Sequence, residues 1–207
     1  MKKLIIIAAT IILSCMQVNA QQFITVQNGS SVSFYSNLDS AIIRANNGDT
    51  LYLPGGSFSI NTSIDKRLYI YGVGHNSDST AATSPTYITG AIYLITGASG
   101  GTLTGLFSQG GILFGNNGNG NNANVSNYSI SRCNIAQLYF YSNAPSNNVF
   151  YENIIHGNLV LGQSSPYSQS NGFYNNIIEV NLYNVGANNS FKNNIFLFQM
   201  AIMVELM

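Results

Sequence analysis

Charge is what this 207-residue chain has least of: lysine, arginine, aspartate and glutamate together make up 7%. Seven basic residues balance seven acidic ones, so no basic footprint for nucleic acid and no polybasic stretch for anionic lipid exists. Tryptophan is absent, histidine occurs twice and cysteine twice. Two isolated histidines and no Cys-x-x-Cys pair exclude the usual zinc spacings, so no metal or cofactor is expected. No Gly-x-Ser-x-Gly occurs, and the glycine-rich run 115–120 lacks the lysine and following helix of a phosphate loop. No apolar run is long enough to cross a bilayer. Asparagine, serine, threonine and glycine fill the polar places that charge usually takes.

The first twenty residues stand apart. Lys2 and Lys3 precede an apolar run from Leu4 to Leu13, and Val18, Asn19 and Ala20 form a small-residue cleavage site. This is the pattern of a secretory signal peptide; a lipoprotein reading through Cys15 is the alternative. Residues 21–207 are then the mature domain, secreted or held at the cell surface. Without Lys2 and Lys3 it carries a small net negative charge. It retains one cysteine, Cys133, so it has no internal disulfide.

Within that domain a phrase recurs. Ile130, Cys133 and Ile135 are matched in spacing by Phe150, Asn153 and Ile155, by Phe173, Asn176 and Ile178, and by Phe191, Asn194 and Phe196. A period near twenty, with short strands between polar turns, predicts a β-solenoid whose windings stack on one another. Parallel strands lie about 4.8 Å apart, so equivalent residues form columns. The Phe column and the Ile column point inward, and a third strand in each winding aligns Leu138, Leu159 and Leu182. Between them Cys133, Asn153, Asn176 and Asn194 form one column. An amide donates and accepts, so stacked asparagines can bond along it as a structural ladder. Cys133 carries no amide, so the ladder begins at Asn153.

Upstream, one helix is predicted. Leu38, Ala41, Ile42 and Ala45 share a face, Asn37 is available as N-cap and Gly48 lies just past the end. Its apolar stripe is expected to cover the lower end of the solenoid, within an N-terminal cap spanning about 23–50. Residues 23–34 read as a strand and turn, with Asn28 and Gly29 as the turn signal. Strands are expected at 51–53, 68–71, 87–89, 92–95, 102–104 and 112–114. Two polar stretches, 74–85 and 115–124, read as loops bulging from a winding. The chain stops thirteen residues after Asn194, in a tail that is apolar from 196 to 207 except at Gln199 and Glu205. That end is either an apolar cap or an incomplete winding, and its edge offers edge-to-edge contact with another chain.

The segment from Leu38 to Gly55, together with Leu68 to Gly74 and Thr102 to Leu106, resembles the N-terminal cap and first coils of right-handed parallel β-helix proteins, the pectin-lyase-like superfamily. It is also similar to exported β-helix proteins of Bacteroidetes-type bacteria. The resemblance implies an all-β, right-handed parallel β-helix with a short N-terminal capping helix. It is specific for fold and not for activity, since one fold hosts lyases, hydrolases, adhesins and spikes.

Polysaccharide lyases of this kind are expected to hold calcium with several carboxylates and to use Arg or Lys as base. Here Asp39, Asp49, Asp65, Asp78, Glu152, Glu179 and Glu205 are scattered, whereas calcium takes six to eight oxygen ligands. Arg132 lies one winding from Glu152 and is expected to make an exposed ion pair; Glu179 is expected to have no charged neighbour. Glu152 and Glu179 fall in different columns, which argues against a glycosidase pair. No catalytic residue is assigned. The candidate functional feature is a surface: Gln137, Asn158 and Asn181, with Tyr139, Val160 and Tyr183, are expected to face outward on the third strand of each winding. Tyr139, Asn158, Asn181 and Tyr183 are the candidate ligand residues, for a polysaccharide or cell-surface glycan. A non-catalytic, glycan-binding or structural β-helix is the expected function. A carbohydrate-active enzyme and an adhesin or spike fragment are the alternatives.

Overall fold

The computed structural model describes residues 22–76, 84–115, 124–141, 145–162, 168–180 and 182–197. The signal-peptide reading, Cys15, Asn181, most of both polar loops and the tail 198–207 lie outside them. The described strands form three sheets of nine, seven and five strands in a right-handed parallel β-solenoid. The resemblance-based fold expectation holds.

Five windings contribute a strand to every sheet. They are β5 (Tyr69–Tyr71), β6 (Thr86–Thr89) and β7 (Ile92–Leu94); β8 (Thr102–Thr104), β9 (Phe107–Ser108) and β10 (Ile112–Phe114); β11 (Ser129–Ser131), β12 (Asn134–Ile135) and β13 (Leu138–Phe140); β14 (Val149–Tyr151), β15 (Ile154–Ile155) and β16 (Leu159–Val160); and β17 (Gly172–Tyr174), β18 (Ile177–Ile178) and β19 (Leu182–Tyr183). Below lie β3 (Thr50–Tyr52) and β4 (Gly56–Ser59); above lie β20 (Ser190–Lys192) and β21 (Ile195–Phe196). The first strand of each winding joins sheet A, the second sheet B and the third sheet C.

Strands this short have little stability alone; register makes them a core. The inward column of sheet A runs Leu51, Ile70, Leu103, Ile130, Phe150, Phe173, Phe191. Parallel pairing sets like over like, so Phe150 and Phe173 stack with centroids 4.6 Å apart, and Phe173 and Phe191 at 4.7 Å. Ile135, Ile155, Ile178 and Phe196 form the matching column of sheet B, and Leu138, Leu159 and Leu182 that of sheet C. Each column is the one the repeat predicts.

The lower end is closed in two ways. Residues 24–35 form a full hairpin, β1 (Ile24–Asn28) and β2 (Ser31–Tyr35), rather than one strand and a turn. β1 pairs antiparallel with β3, so the bottom edge of sheet A is occupied. The helix α1 (Leu38–Arg44) lays Leu38, Ala41 and Ile42 on the core. The Asn37 side chain accepts the Ser40 N–H at 2.9 Å, the N-cap that the sequence offers. Asp39 accepts N–H bonds from Asn61 and Thr62, and Lys66 donates to the carbonyls of Ile43 and Ala45 at the other end. Burial works to raise the Asp39 carboxyl pKa; the hydrogen bonds from Asn61 and Thr62 outweigh it and hold the pKa below its ordinary value. A small hollow under the helix is lined by Leu38, Ile42, Ile64 and Ile92 and has no polar lining, so it is packing space.

Candidate functional site

The ladder is built as the column arithmetic requires. The Asn176 and Asn194 amide oxygens each accept two hydrogen bonds from the winding below, and each amide nitrogen of the column donates to a carbonyl of that winding. Asn176 Oδ1 accepts from the Asn153 backbone N–H at 2.9 Å and from Asn153 Nδ2 at 3.1 Å, while Asn176 Nδ2 donates to the Phe150 carbonyl at 3.0 Å. Asn194 repeats this on Asn176 and the Phe173 carbonyl. Asn153 Oδ1 accepts the Cys133 N–H at 3.0 Å, and Asn153 Nδ2 donates to the Ile130 carbonyl. The cysteine ends the column. Its thiol lies 3.1 Å from the Ser131 carbonyl, and burial pushes its pKa up to about 12. A thiol so held is packing, not a nucleophile.

A second ladder escaped the sequence reading. Asn148, Asn171 and Asn189 stand five residues before Asn153, Asn176 and Asn194, at the other end of each sheet A strand. Asn171 Oδ1 accepts from the Asn148 N–H and Nδ2, both at 3.0 Å, and Asn189 Oδ1 accepts the same pair from Asn171. Tyr128 heads this column as Cys133 heads the other, giving its N–H to Asn148 Oδ1. Its ring lies over Gly101, where a Cβ would come within 2.6 Å of it. The Tyr128 hydroxyl is buried with no hydrogen-bond partner among the described residues, and burial raises its pKa. The signal for the second ladder was present: Asn-x-Phe-x-x-Asn at 148–153, 171–176 and 189–194.

Each ladder residue follows one in the left-handed region. Arg132, Glu152, Asn175 and Asn193 precede the first ladder, and Asn127, Asn147, Ser170 and Asn188 the second, all with φ between 51° and 59°. Asparagine and glycine take this conformation readily; Arg132 and Glu152 do so at a cost. Their side chains project outward and meet, Arg132 Nε to Glu152 Oε2 at 2.8 Å, both well exposed. The expectation for Glu179 is corrected: its Oε2 lies 2.5 Å from His156 Nδ1. The two residues are 23 apart, the same step that separates Asn153 from Asn176. Among the described residues no three His, Cys, Asp or Glu side chains gather as a metal site.

The outer face of sheet C places the candidate tyrosines in one column with two aliphatic residues: Tyr93, Leu113, Tyr139, Val160, Tyr183. Leu113 and Val160 are 3% and 7% exposed although they point outward, each with a tyrosine above and below it in the column. Tyr139 is half-buried, with its ring 4.6 Å from that of Tyr141, and Tyr183 is exposed. Burial and the neighbours Tyr93 and Tyr139 raise the Tyr141 phenol pKa. Asn158 is exposed, immediately before β16. Gln137 is turned onto the winding below, its Nε2 donating to the Gly110 carbonyl. Val160 and Gln137 are therefore less available than an outward position suggested.

No helix among the described residues is long and apolar enough to cross a membrane. No protein-family model, curated protein or solved structure matches this chain.

Proposed function

We propose that this protein is exported by residues 1–20 and works outside the cytoplasm, secreted or cell-surface held. In this reading it is a non-catalytic relative of the pectin-lyase-like β-helices that binds a polysaccharide or cell-surface glycan on the outer face of sheet C. The observation that carries the reading is the tyrosine column. Tyr93, Tyr139 and Tyr183 occupy alternate windings on one face, which sets them about 10 Å apart along the axis. Such a face presents aromatic surface to pyranose rings at intervals, with Asn158 beside it to bond hydroxyl groups.

Affinity electrophoresis against soluble neutral and acidic polysaccharides tests this. Retardation by at least one glycan is expected, reduced at least about tenfold in Tyr139→Ala/Tyr183→Ala, a loss of roughly 1.4 kcal/mol. Unchanged retardation in a double variant that still melts cooperatively ends the reading. A polysaccharide-cleaving enzyme is the second reading. It is favoured by the His156–Glu179 pair, whose histidine is two residues before Asn158 and which is the one histidine–carboxylate contact among the described residues. Release of new reducing ends or of an unsaturated product from the same glycans would establish it. Binding to no glycan, with the fold intact, leaves the adhesin or spike reading.

A further inference from the structure

The hairpin that covers the lower edge of β3 brings an edge of its own. β2 is the outermost strand of sheet A, and among the described residues nothing pairs with its far side. Asn28 and Ser31 close a two-residue turn, so they exchange hydrogen bonds, and so do Val26 and Ser33. The pairs between them do not. Val32 and Phe34 therefore turn their N–H and C=O groups to the free side.

Proteins blunt such edges with very short strands, charge, proline or a bulge. β2 has none of these. At five residues it is, with β1, the longest strand described, and its register with β1 is unbroken. The sequence from Gln21 to Leu38 contains no charged residue and no proline. The opposite end of the sheet differs, since β20 is three residues long and ends on Lys192.

Side chains at this end are uncovered as well. Phe34 and Ile43 are 65% and 61% exposed, the highest values among the large apolar residues described, with Val32 at 50% and Phe23 at 45%. Phe23 and Phe34 meet edge to face, their centroids 6.5 Å apart. A lipid surface would cover these side chains but leave the Val32 and Phe34 backbone groups without partners. A strand covers both, and the strand that fits is β2 itself. Antiparallel pairing of two β2 strands about Ser33 sets Val32 opposite Phe34 of the second copy. Both residues already aim their backbone groups at the free side, so each such pair exchanges both hydrogen bonds. Val32 and Phe34 also become cross-strand apolar neighbours, and a neutral strand meets its own copy without like-charge repulsion.

We propose that β2 is a homodimerisation edge. Two copies of this chain join lower end to lower end about a two-fold axis at Ser33, and sheet A runs on from one solenoid into the other. The contact is isologous, so it closes as a pair and does not propagate into a fibre. The edge is present whatever sheet C binds.

Sedimentation equilibrium of the full chain reads the pairing. An edge of this length is a small interface, so the average mass should rise from one chain toward two as the concentration approaches about 100 µM. Phe34→Lys places a charge on the edge. Val32→Pro removes an N–H aimed at it and spares the bonds of Ser31 and Ser33 to β1. Each variant, with the circular dichroism of the wild type, should keep the mass of one chain. Ser33→Cys gives a readout that disrupts nothing: facing Cα atoms at that position lie about 4.5 Å apart, within disulfide range, so mild oxidation should yield a covalent dimer. Ser31→Cys faces Tyr35 in this register and should not cross-link, and the wild type, whose Cys133 is buried, is the blank. A wild type of one-chain mass throughout, a dimer that survives either folded edge variant, or cross-linking of Ser31→Cys as readily as Ser33→Cys overturns the proposal. A one-chain wild type that pellets with phosphatidylcholine vesicles overturns it too, and assigns the apolar end to a lipid surface.

Discussion

From β14 upward every turn flanking a sheet A strand carries a ladder asparagine; one winding lower these positions hold Tyr128 and Cys133, and below that Gly101 and Leu106, following Gly100 and Gly105 in the left-handed region. The upper windings satisfy turn N–H groups with side-chain amides on both flanks and fill the axis with stacked Phe150, Phe173 and Phe191. The lower windings have an aliphatic axis of Leu51, Ile70 and Leu103 and a terminal seal of hairpin and helix. One backbone path is thus held by two means. A rung that repeats needs a partner above and below, so it suits the middle of a stack. An end needs a cover that does not repeat, so it takes a helix tied down by Asp39 and Lys66.

The sharpest way to break this contrast is to remove a middle rung. Asn176→Ala strips the acceptor from the Asn153 N–H and Nδ2 and the donor from the Phe150 carbonyl, all buried. At about 1–3 kcal/mol per stranded group, discounted for relaxation, the expected loss is about 3–5 kcal/mol, read from denaturant midpoints. A loss below about 1 kcal/mol would mean the ladder decorates the turns and does not hold them.

Extending the rungs downward should sharpen it. Cys133 Sγ already points at the Leu103 carbonyl, 3.9 Å away, the direction in which every asparagine of the column donates. Cys133→Asn is expected to close that bond and to donate as well to Asn153 Oδ1, raising stability by about 1 kcal/mol. A destabilised variant would show that the lower half cannot take an amide and that the boundary at Tyr128 is a packing limit.

The smallest effect belongs to the cap. The Asp39 pKa is depressed in the folded state, so its contribution is present above the unfolded value near 3.9 and disappears as pH falls through the folded value. Acid should loosen α1 before the ladder windings, seen as earlier hydrogen exchange at Asn61 and Thr62. Asp39→Asn should weaken the same contacts already at neutral pH and flatten the acid response. Simultaneous loss of protection across all windings would erase the distinction between the two halves.

The columns were readable in the sequence because parallel stacking turns a spatial contact into a fixed offset. Asn153, Asn176 and Asn194 meet where the offsets place them, and so do the Phe and Ile columns. The second ladder obeys the same offsets, 23 and 18 residues, but its asparagines stand among other turn asparagines before the strand, where composition does not single them out. His156 and Glu179 were separable in sequence only by ignoring the 23-residue step that joins Asn153 to Asn176. What no offset reveals is how far an outward side chain is covered. Val160 and Leu113 are buried at outward positions, and Gln137 folds onto a neighbouring carbonyl. The closeness of the Tyr174 ring to Gly172, where a Cβ would come within 2.4 Å of it, emerges only once the ring is placed.

Because each winding bonds chiefly to its two neighbours, the molecule works as a measuring rod. Inserting one more copy of the Asn153-to-Asn176 interval should lengthen it by a single graduation of about 4.8 Å and leave the hairpin and helix undisturbed. Any two sites on one face then have a separation that is counted in whole graduations, and gene duplication could adjust it to the repeat of whatever lies alongside.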